Sequence, residues 1–411
     1  MRIFCIFFHP EKKTTWLGGA EKRFFEFLKF LDKCYSNVEV LVFEPAASLF
    51  KNELKNIKIF TIGRPCKICS QSLLLNYLSW TLWGFKALIY SIQAFFREKP
   101  DLILSPNNTL PNFLPAFLAK LLFRKPLCVV VHHFDFTLQK EMSEGFSPTK
   151  FFRRYRKIGY SFLASFFKAF ASFLVASLLK EANKIISVSN FSAKILRMCG
   201  VKKEKILVSG NGINFSEITK FCRSFNRKFF DGIFVGRISQ EKGVYDLIAA
   251  WRIVASKRRE ACLAIVGEGP ELENLKVKIQ DLGLEDNVKF FGGLPDREMY
   301  KILCRSKIFV FPSRFEGWGL AVAEALACGL PVVCYEIPAL REVFGRCKSV
   351  FFVSQFDSRA FAEKILQILE GFDVEVFRES SQKFARKFDW EKVFVKELKV
   401  LQKLVEKIGD K

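Results

Sequence analysis

Strand-length apolar runs alternate with helix-length segments along most of this chain, and that alternation constrains the fold more than any other feature. In the first half the runs are residues 2–8, 38–43, 57–62, 102–105, 127–131 and 184–188. Helical stretches separate most of them, at 20–31, 73–97, 110–123 and a long one within 150–180. Short continuous apolar runs separated by helices predict a parallel sheet covered on both faces. The pattern restarts in the second half, with strands at 232–235, 262–266, 288–291, 308–311, 331–334 and 350–353. Helices there are expected at 242–256, 270–282, 319–327 and 359–370. The 411 residues are too many for one core and suit two α/β domains, each a Rossmann-like doubly wound sheet. The boundaries fall at 1–210 and 211–388, joined through the polar stretch that opens with Asn211-Gly212. An amphipathic helix at about 390–408 follows Asp389, a candidate N-cap; residues 389–411 are expected to pack back toward the first domain.

Open parallel sheets bind ligands beyond the carboxyl ends of their strands, and two such domains face a cleft. After the first strand, Gly18-Gly19-Ala20-Glu21 opens a helix. It reads either as a phosphate cradle, with free N–H groups at a helix N-terminus, or as an ordinary glycine loop. His132-His133-Phe134-Asp135 ends the strand 127–131 and holds two of only three histidines. In the second half, Gly236-Arg237 and Glu241-Lys242-Gly243 follow a strand and open a helix. Two cations there suit a diphosphate, or form a solvated basic turn. Gly267-Glu268-Gly269-Pro270 is a weaker glycine motif at another strand end. The most specific stretch runs from Ser313 to Pro331 and contains Glu316, Gly317, Trp318, Gly319, Leu320 and Glu324. Glu324 lies in a helix of small and apolar residues, where an unpartnered carboxylate is costly. Its partner is either a buried cation or a diol such as that of a ribose.

Together these residues resemble glycosyltransferase family 4, retaining enzymes of the two-domain GT-B fold. The spacing from Glu316 to Glu324 is that family's Glu-x7-Glu motif, continued by Ala327-Cys328-Gly329-Leu330-Pro331. Gly236–Gly243, Gly267–Pro270, Gly18-Gly19-Ala20-Glu21, Val188-Ser189 and Asn211-Gly212-Ile213 agree in order along nearly the whole chain. The resemblance implies that Arg237 and Lys242 bind the donor diphosphate and stabilise the leaving group. It implies that Glu324 holds ribose hydroxyls, Glu316 contacts the transferred sugar, and Gly18 and Gly19 offer N–H groups to phosphate. His132 matches the histidine that faces the sugar, with His133 the near alternative. Gly269, Leu294, Gly317, Trp318, Gly319 and Leu320 complete the implied donor site, main chain near Leu294 reading the base. Trp318 stands where a smaller aromatic is usual and is expected to reshape the sugar pocket. No Asp-x-Asp occurs, so no essential metal and no other cofactor is expected beyond a GDP- or UDP-hexose substrate.

Charge bears on the acceptor. Residues 1–210 carry 32 Lys+Arg against 14 Asp+Glu, net +18, of the chain's +23. Such a field suits an anionic membrane or polyanion; no nucleic-acid motif accompanies it. Residues 73–96 and 158–179 are long enough to span a bilayer. Lys86 and Lys168 lie near their centres, each costing roughly 2.5–3.5 kcal/mol on insertion. Surface attachment is favoured instead: Arg153, Arg154, Arg156 and Lys157 precede a Phe-rich helix, although a core helix fits the same pattern. A lipid-linked acceptor at the cytoplasmic face explains both features. His9-Pro10 before the glycine loop also resembles mannosyltransferases that build dolichol-linked oligosaccharides. The cysteines, scattered and partly in strands, read as buried thiols of a reducing compartment, and Cys66 and Cys69 as loop residues rather than half a zinc site. The expected activity is hexose transfer, with mannose a candidate sugar, to a lipid-linked or glycan acceptor. A nucleotide-sugar epimerase and a catalytically silent scaffold of the same fold are the alternatives.

Overall fold

The structure, a computed structural model, describes residues 1–7, 18–34, 38–43, 50–62, 86, 88–90, 92–93, 99–132, 147–157, 161–223, 228–371 and 375–409. The chain divides into two units: Met1–Gly210 with Glu391–Lys411, and Asn211–Trp390.

The first unit is built on a seven-stranded sheet. Its strands are β1 (Ile3–Phe7), β2 (Val38–Phe43), β3 (Lys58–Ile62), β4 (Leu102–Ser105), β5 (Leu127–Val131), β6 (Lys184–Ser187) and β7 (Ile206–Val208). Their order is β3-β2-β1-β4-β5-β6-β7, every pair parallel. β1, β4 and β5 are buried along their whole length, which is why they read as unbroken apolar runs. Phe4, Ile103, Phe113, Val129, Phe151 and Leu179 meet in one core, each worth about 1.5–3 kcal/mol of burial.

Two expectations change here. The sequence reading contains no β7, since three half-buried residues at a sheet edge give almost no periodic signal. The single long helix expected within 150–180 is two, Pro148–Lys157 and Phe162–Leu179. Ser161 starts the second, its hydroxyl accepting from Ala164 N–H. The pair pack through the Phe152 and Phe162 rings, 5.2 Å apart, and a Tyr155–Ser172 hydrogen bond of 3.1 Å. Among the described residues Phe162–Leu179 is the one helix long and apolar enough to cross a membrane, and 33% of it is buried. Its outer face exposes Phe162, Leu163, Phe166 and Phe170. The segment 73–96, His9-Pro10, His133, Asp135, Cys66 and Cys69 fall wholly or mainly outside the described residues.

The C-terminal helix Trp390–Gly409 belongs, from Glu391 onward, to the first unit. It docks on the helix Gly19–Cys34 through a buried ion pair, Arg23 with Glu397. Arg23 also reaches Ser209 Oγ at 3.4 Å, and Phe394 packs against Phe27 and Phe30. Burial pushes the Glu397 carboxyl upward, opposed by the Arg23 guanidinium.

The second unit carries β8 (Phe230–Val235), β9 (Leu263–Val266), β10 (Val288–Phe290), β11 (Ser306–Phe311), β12 (Val332–Tyr335) and β13 (Val350–Val353). Their order is β10-β9-β8-β11-β12-β13, again all parallel. The order reverses between β8 and β11, and ligands of open α/β sheets bind at such a switch point. The reading of all cysteines as thiols is corrected here. Cys222 and Cys304, 82 residues apart, form a disulfide with Cα atoms 5.6 Å apart. Each ends a short helix, Phe215–Cys222 and Asp296–Cys304, and packing brings the two ends together.

Candidate active site

The loops that leave β8 and β11 meet at the switch point. After β8 the chain makes a 3-10 turn, Gln240–Lys242, and enters the helix Val244–Lys257. Gly243 joins them at φ 69°, and a Cβ there would overlap the Pro312 carbonyl. Only glycine lets the turn press against the β11 loop, and that contact delivers Lys242 to Glu316. Lys242 Nζ lies 2.5 Å from Glu316 Oε1, and Ser313 Oγ donates to the same oxygen at 2.8 Å. Arg314 N–H donates to the Glu241 carbonyl at 2.9 Å, while its guanidinium grips Asp246 with bonds of 3.0 and 2.8 Å. The two loops are thereby fixed by backbone, glycine contact and a bidentate pair.

The neighbouring strand ends are tied to them. Ile238 N–H donates to the Glu268 carbonyl at 2.9 Å, and Gly267 N–H to the Gly292 carbonyl at 2.7 Å. Gly293 N–H is 3.4 Å from Glu268 Oε1, so residues 292–294 sit beside the glycine motif that follows β9. Tyr245 donates to Glu271 at 2.5 Å, and Gln240 reaches the other oxygen at 3.1 Å. That bond to the carboxylate pushes the Tyr245 phenol up to about 12 and pulls the Glu271 carboxyl down.

Glu324 lies in the helix Leu320–Ala327 and is buried, accepting from the Tyr300 hydroxyl at 3.2 Å. Gly319 caps that helix at φ 102°, where a Cβ would press on Leu340 and Phe344. Arg237 is exposed just beyond β8; Gly269, Gly317, Leu320 and Leu294 are half-buried around the same edge. Trp318, which the resemblance places in the donor site, is largely enclosed by the protein. Its ring is buried against Phe344 and Phe388, with centroids 5.6 and 4.9 Å away, because a large aromatic beside that apolar helix is best placed in the core.

In the first unit, Gly18 and Gly19 stand at the start of the helix Gly19–Cys34, with the Glu21 carboxylate folded against Gly18. His132 is buried just past β5, and its Nε2–H donates to the Pro106 carbonyl beyond β4 at 3.2 Å. That bond fixes the tautomer and the ring plane.

Four contributors escape a reading of the sequence. Tyr300 and Asp246 reach the site from elsewhere in the chain, and nothing in their local pattern marks them. Ser313 could have been found from its place at the head of the Glu316 loop. Ser239 is buried beside the Lys242 turn with no hydrogen-bond partner for its hydroxyl among the described residues. Buried hydroxyls are normally paired, so this one fits a site that accepts a polar ligand.

Comparison with known proteins bears on the family and the fold. The model described as Glycosyltransferase Family 4 matches residues 17–217, and that described as Glycosyl transferases group 1 matches 217–387. An uncharacterized glycosyltransferase of Methanocaldococcus jannaschii is 27% identical over 79% of this chain and 74% of its own length. O-antigen chain mannosyltransferase B of Escherichia coli is 26% identical over 52% of this chain and 58% of its own. Among solved structures, Anabaena HepE in complex with UDP and glucose has a TM-score of 0.70 at 21% identity, covering 98% of this chain and 99% of that one. Sucrose-phosphate synthase from Thermosynechococcus elongatus has a TM-score of 0.74 at 17% identity, covering 98% of each chain.

Proposed function

Because the chain belongs to glycosyltransferase family 4, with the GT-B fold, we propose that it moves a hexose from a nucleotide sugar to a lipid-linked or glycan acceptor. The transfer retains anomeric configuration and needs no metal ion. The observation that carries this reading is the Lys242–Glu316 pair at the β8/β11 switch point. Cleaving a sugar–phosphate bond builds negative charge on the departing diphosphate and positive charge at the anomeric carbon. Lys242, already held in place, and Arg237 favour that charge on the diphosphate. Fixed groups do so without reorganisation when the bond breaks. Glu316 orients the sugar beside the leaving group, and Glu324 accepts from the ribose hydroxyls. Main chain at Gly292, Gly293 and Leu294 reads the base. In the first unit, Gly18 and Gly19 offer N–H groups to an anion, and His132 presents a ring of fixed orientation.

UDP and GDP are the candidate donors' nucleotides: the HepE structure holds UDP, and one relative is a mannosyltransferase. A thermal-shift series with UDP, GDP, ADP and their sugars, each with and without EDTA, tests the reading. One nucleotide at about a hundredfold over its Kd adds about 2.7 kcal/mol. That raises the midpoint by about 5–10 °C for a unit of this size. The shift is expected to survive EDTA. Silence with every nucleotide counts against the donor site, and a shift abolished by EDTA against metal independence.

The same proposal places the enzyme peripherally on the cytoplasmic face of an anionic membrane. Phe162, Phe166 and Phe170 are exposed beside the basic helix Pro148–Lys157, in the half of the chain that carries +18. Apolar rings flanked by arginines suit a bilayer interface. Co-sedimentation is expected with phosphatidylglycerol vesicles and not with phosphatidylcholine alone. Phe166→Asp with Phe170→Asp lowers that binding by about tenfold or more, since each buried ring contributes roughly 1.5–3 kcal/mol. Equal sedimentation of the double variant would remove this face from the interface.

A further inference from the structure

Three cysteines meet beneath the Glu324 helix. The Sγ atoms of Cys222, Cys304 and Cys328 all lie within 4.8 Å of one another, and all three residues are buried. Cys222 and Cys304 form the disulfide; Cys328 stands outside it, at the C-terminal cap of the helix Leu320–Ala327. Cys328 is one helical turn beyond Glu324, and Cys304 one turn beyond Tyr300, the residue that hydrogen-bonds Glu324. Two of the three cysteines are thus each one turn along the chain from a partner in that hydrogen bond. Lys228 borders it: its Nζ donates to the Cys304 carbonyl at 3.0 Å and pairs with Glu375 at 3.7 Å. Burial pushes the Lys228 ammonium down from its ordinary value, and the Glu375 carboxylate opposes that. The thiolate is the form that attacks disulfides, and an ammonium bordering the cluster disfavours a bound dication.

We propose that Cys222, Cys304 and Cys328 form an internal thiol–disulfide exchange centre, in which the bridge migrates to include Cys328. The Cys328 thiolate attacks one sulfur of the Cys222–Cys304 bridge. A new S–S bond forms, the old one breaks, and the displaced sulfur leaves as a thiolate that takes up the proton Cys328 gave. No external oxidant or reductant enters, because one disulfide and one thiol are present before and after. Migration onto Cys328 ties the C-terminal end of the Glu324 helix to a neighbouring helix end.

The test is cross-link mapping of the full chain after acid quenching and alkylation. Wild-type protein held at neutral pH without added thiol or oxidant is expected to give peptides bridged through Cys328 beside the Cys222–Cys304 peptide. Oxidised with glutathione disulfide, the Cys222→Ser protein is expected to form Cys304–Cys328 in most chains. The proposal is overturned if Cys328 appears only as the alkylated thiol in the wild type while the original bridge persists. It is equally overturned if protein as purified carries one zinc ion with all three cysteines protected from alkylation, which would make the cluster a metal site.

Discussion

Lys242→Ala is expected to lower kcat by two to three orders of magnitude while the protein stays folded. The magnitude is that of removing one fixed charge-stabilising donor from a transition state, about 2.7–4 kcal/mol. Lys242 is suited to such a role because it does not have to be recruited. The Gly243–Pro312 contact and the Glu316 carboxylate at 2.5 Å hold its ammonium at the switch point. Stability should change little, because Ser313 still hydrogen-bonds the remaining Glu316 carboxylate and the pair is only partly buried. Initial rates with whichever sugar nucleotide raises the thermal midpoint, together with that midpoint for the variant, check both halves. A kcat within threefold of wild type, in a protein that still binds nucleotide, would remove Lys242 from the chemistry. Lys242→Arg keeps the charge but not the compact ammonium, and should recover only part of the rate.

The second large effect is on stability. Breaking the Arg23–Glu397 pair by Glu397→Leu should cost about 3–5 kcal/mol, because it strands a buried guanidinium. For a unit of this size that is a fall of roughly 6–20 °C in midpoint. The double variant Arg23→Met with Glu397→Leu should regain most of the loss, since neither charge is then left buried alone. Phe394, 5.7 Å from the Arg23 guanidinium, keeps the helices in contact. Differential scanning calorimetry of the two singles and the double measures the coupling. Additive losses would show that the two residues act separately. The pair matters beyond stability because Arg23 lies on the helix that begins at Gly19, so the C-terminal helix steadies the glycine loop's own helix.

Much of the architecture is legible in local pattern. β1, β4, β5, β9 and β12 are buried on both faces, so their sequences are continuous apolar runs that no exposed element would show. The candidate functional positions are legible for a related reason. Chemistry in this topology is placed where strands end, and Arg237, Lys242 and Glu316 all follow strands. Features weak in local signal were lost: the three-residue edge strand β7, the break before Ser161, and the short helices Asn190–Met198, Pro338–Phe344 and Val376–Ala385. The packing of Trp318 is illegible in sequence for a different reason. Its neighbours in sequence are a loop, but its neighbours in space are Phe344 and Phe388.

Sequence by itself determined the two parallel-sheet units, the glycines at the strand ends and the family to which the motifs belong. These follow from hydrophobic period and backbone freedom, which are properties of short stretches of chain. Tertiary structure alone decided the pairings: Lys242 with Glu316, Tyr300 with Glu324, Arg23 with Glu397, and the three cysteines. The partners in these ionic and hydrogen-bonded pairs are 74, 24 and 374 residues apart. No local pattern encodes a contact over such separations, because it exists only once packing has brought distant helix and strand ends to one place.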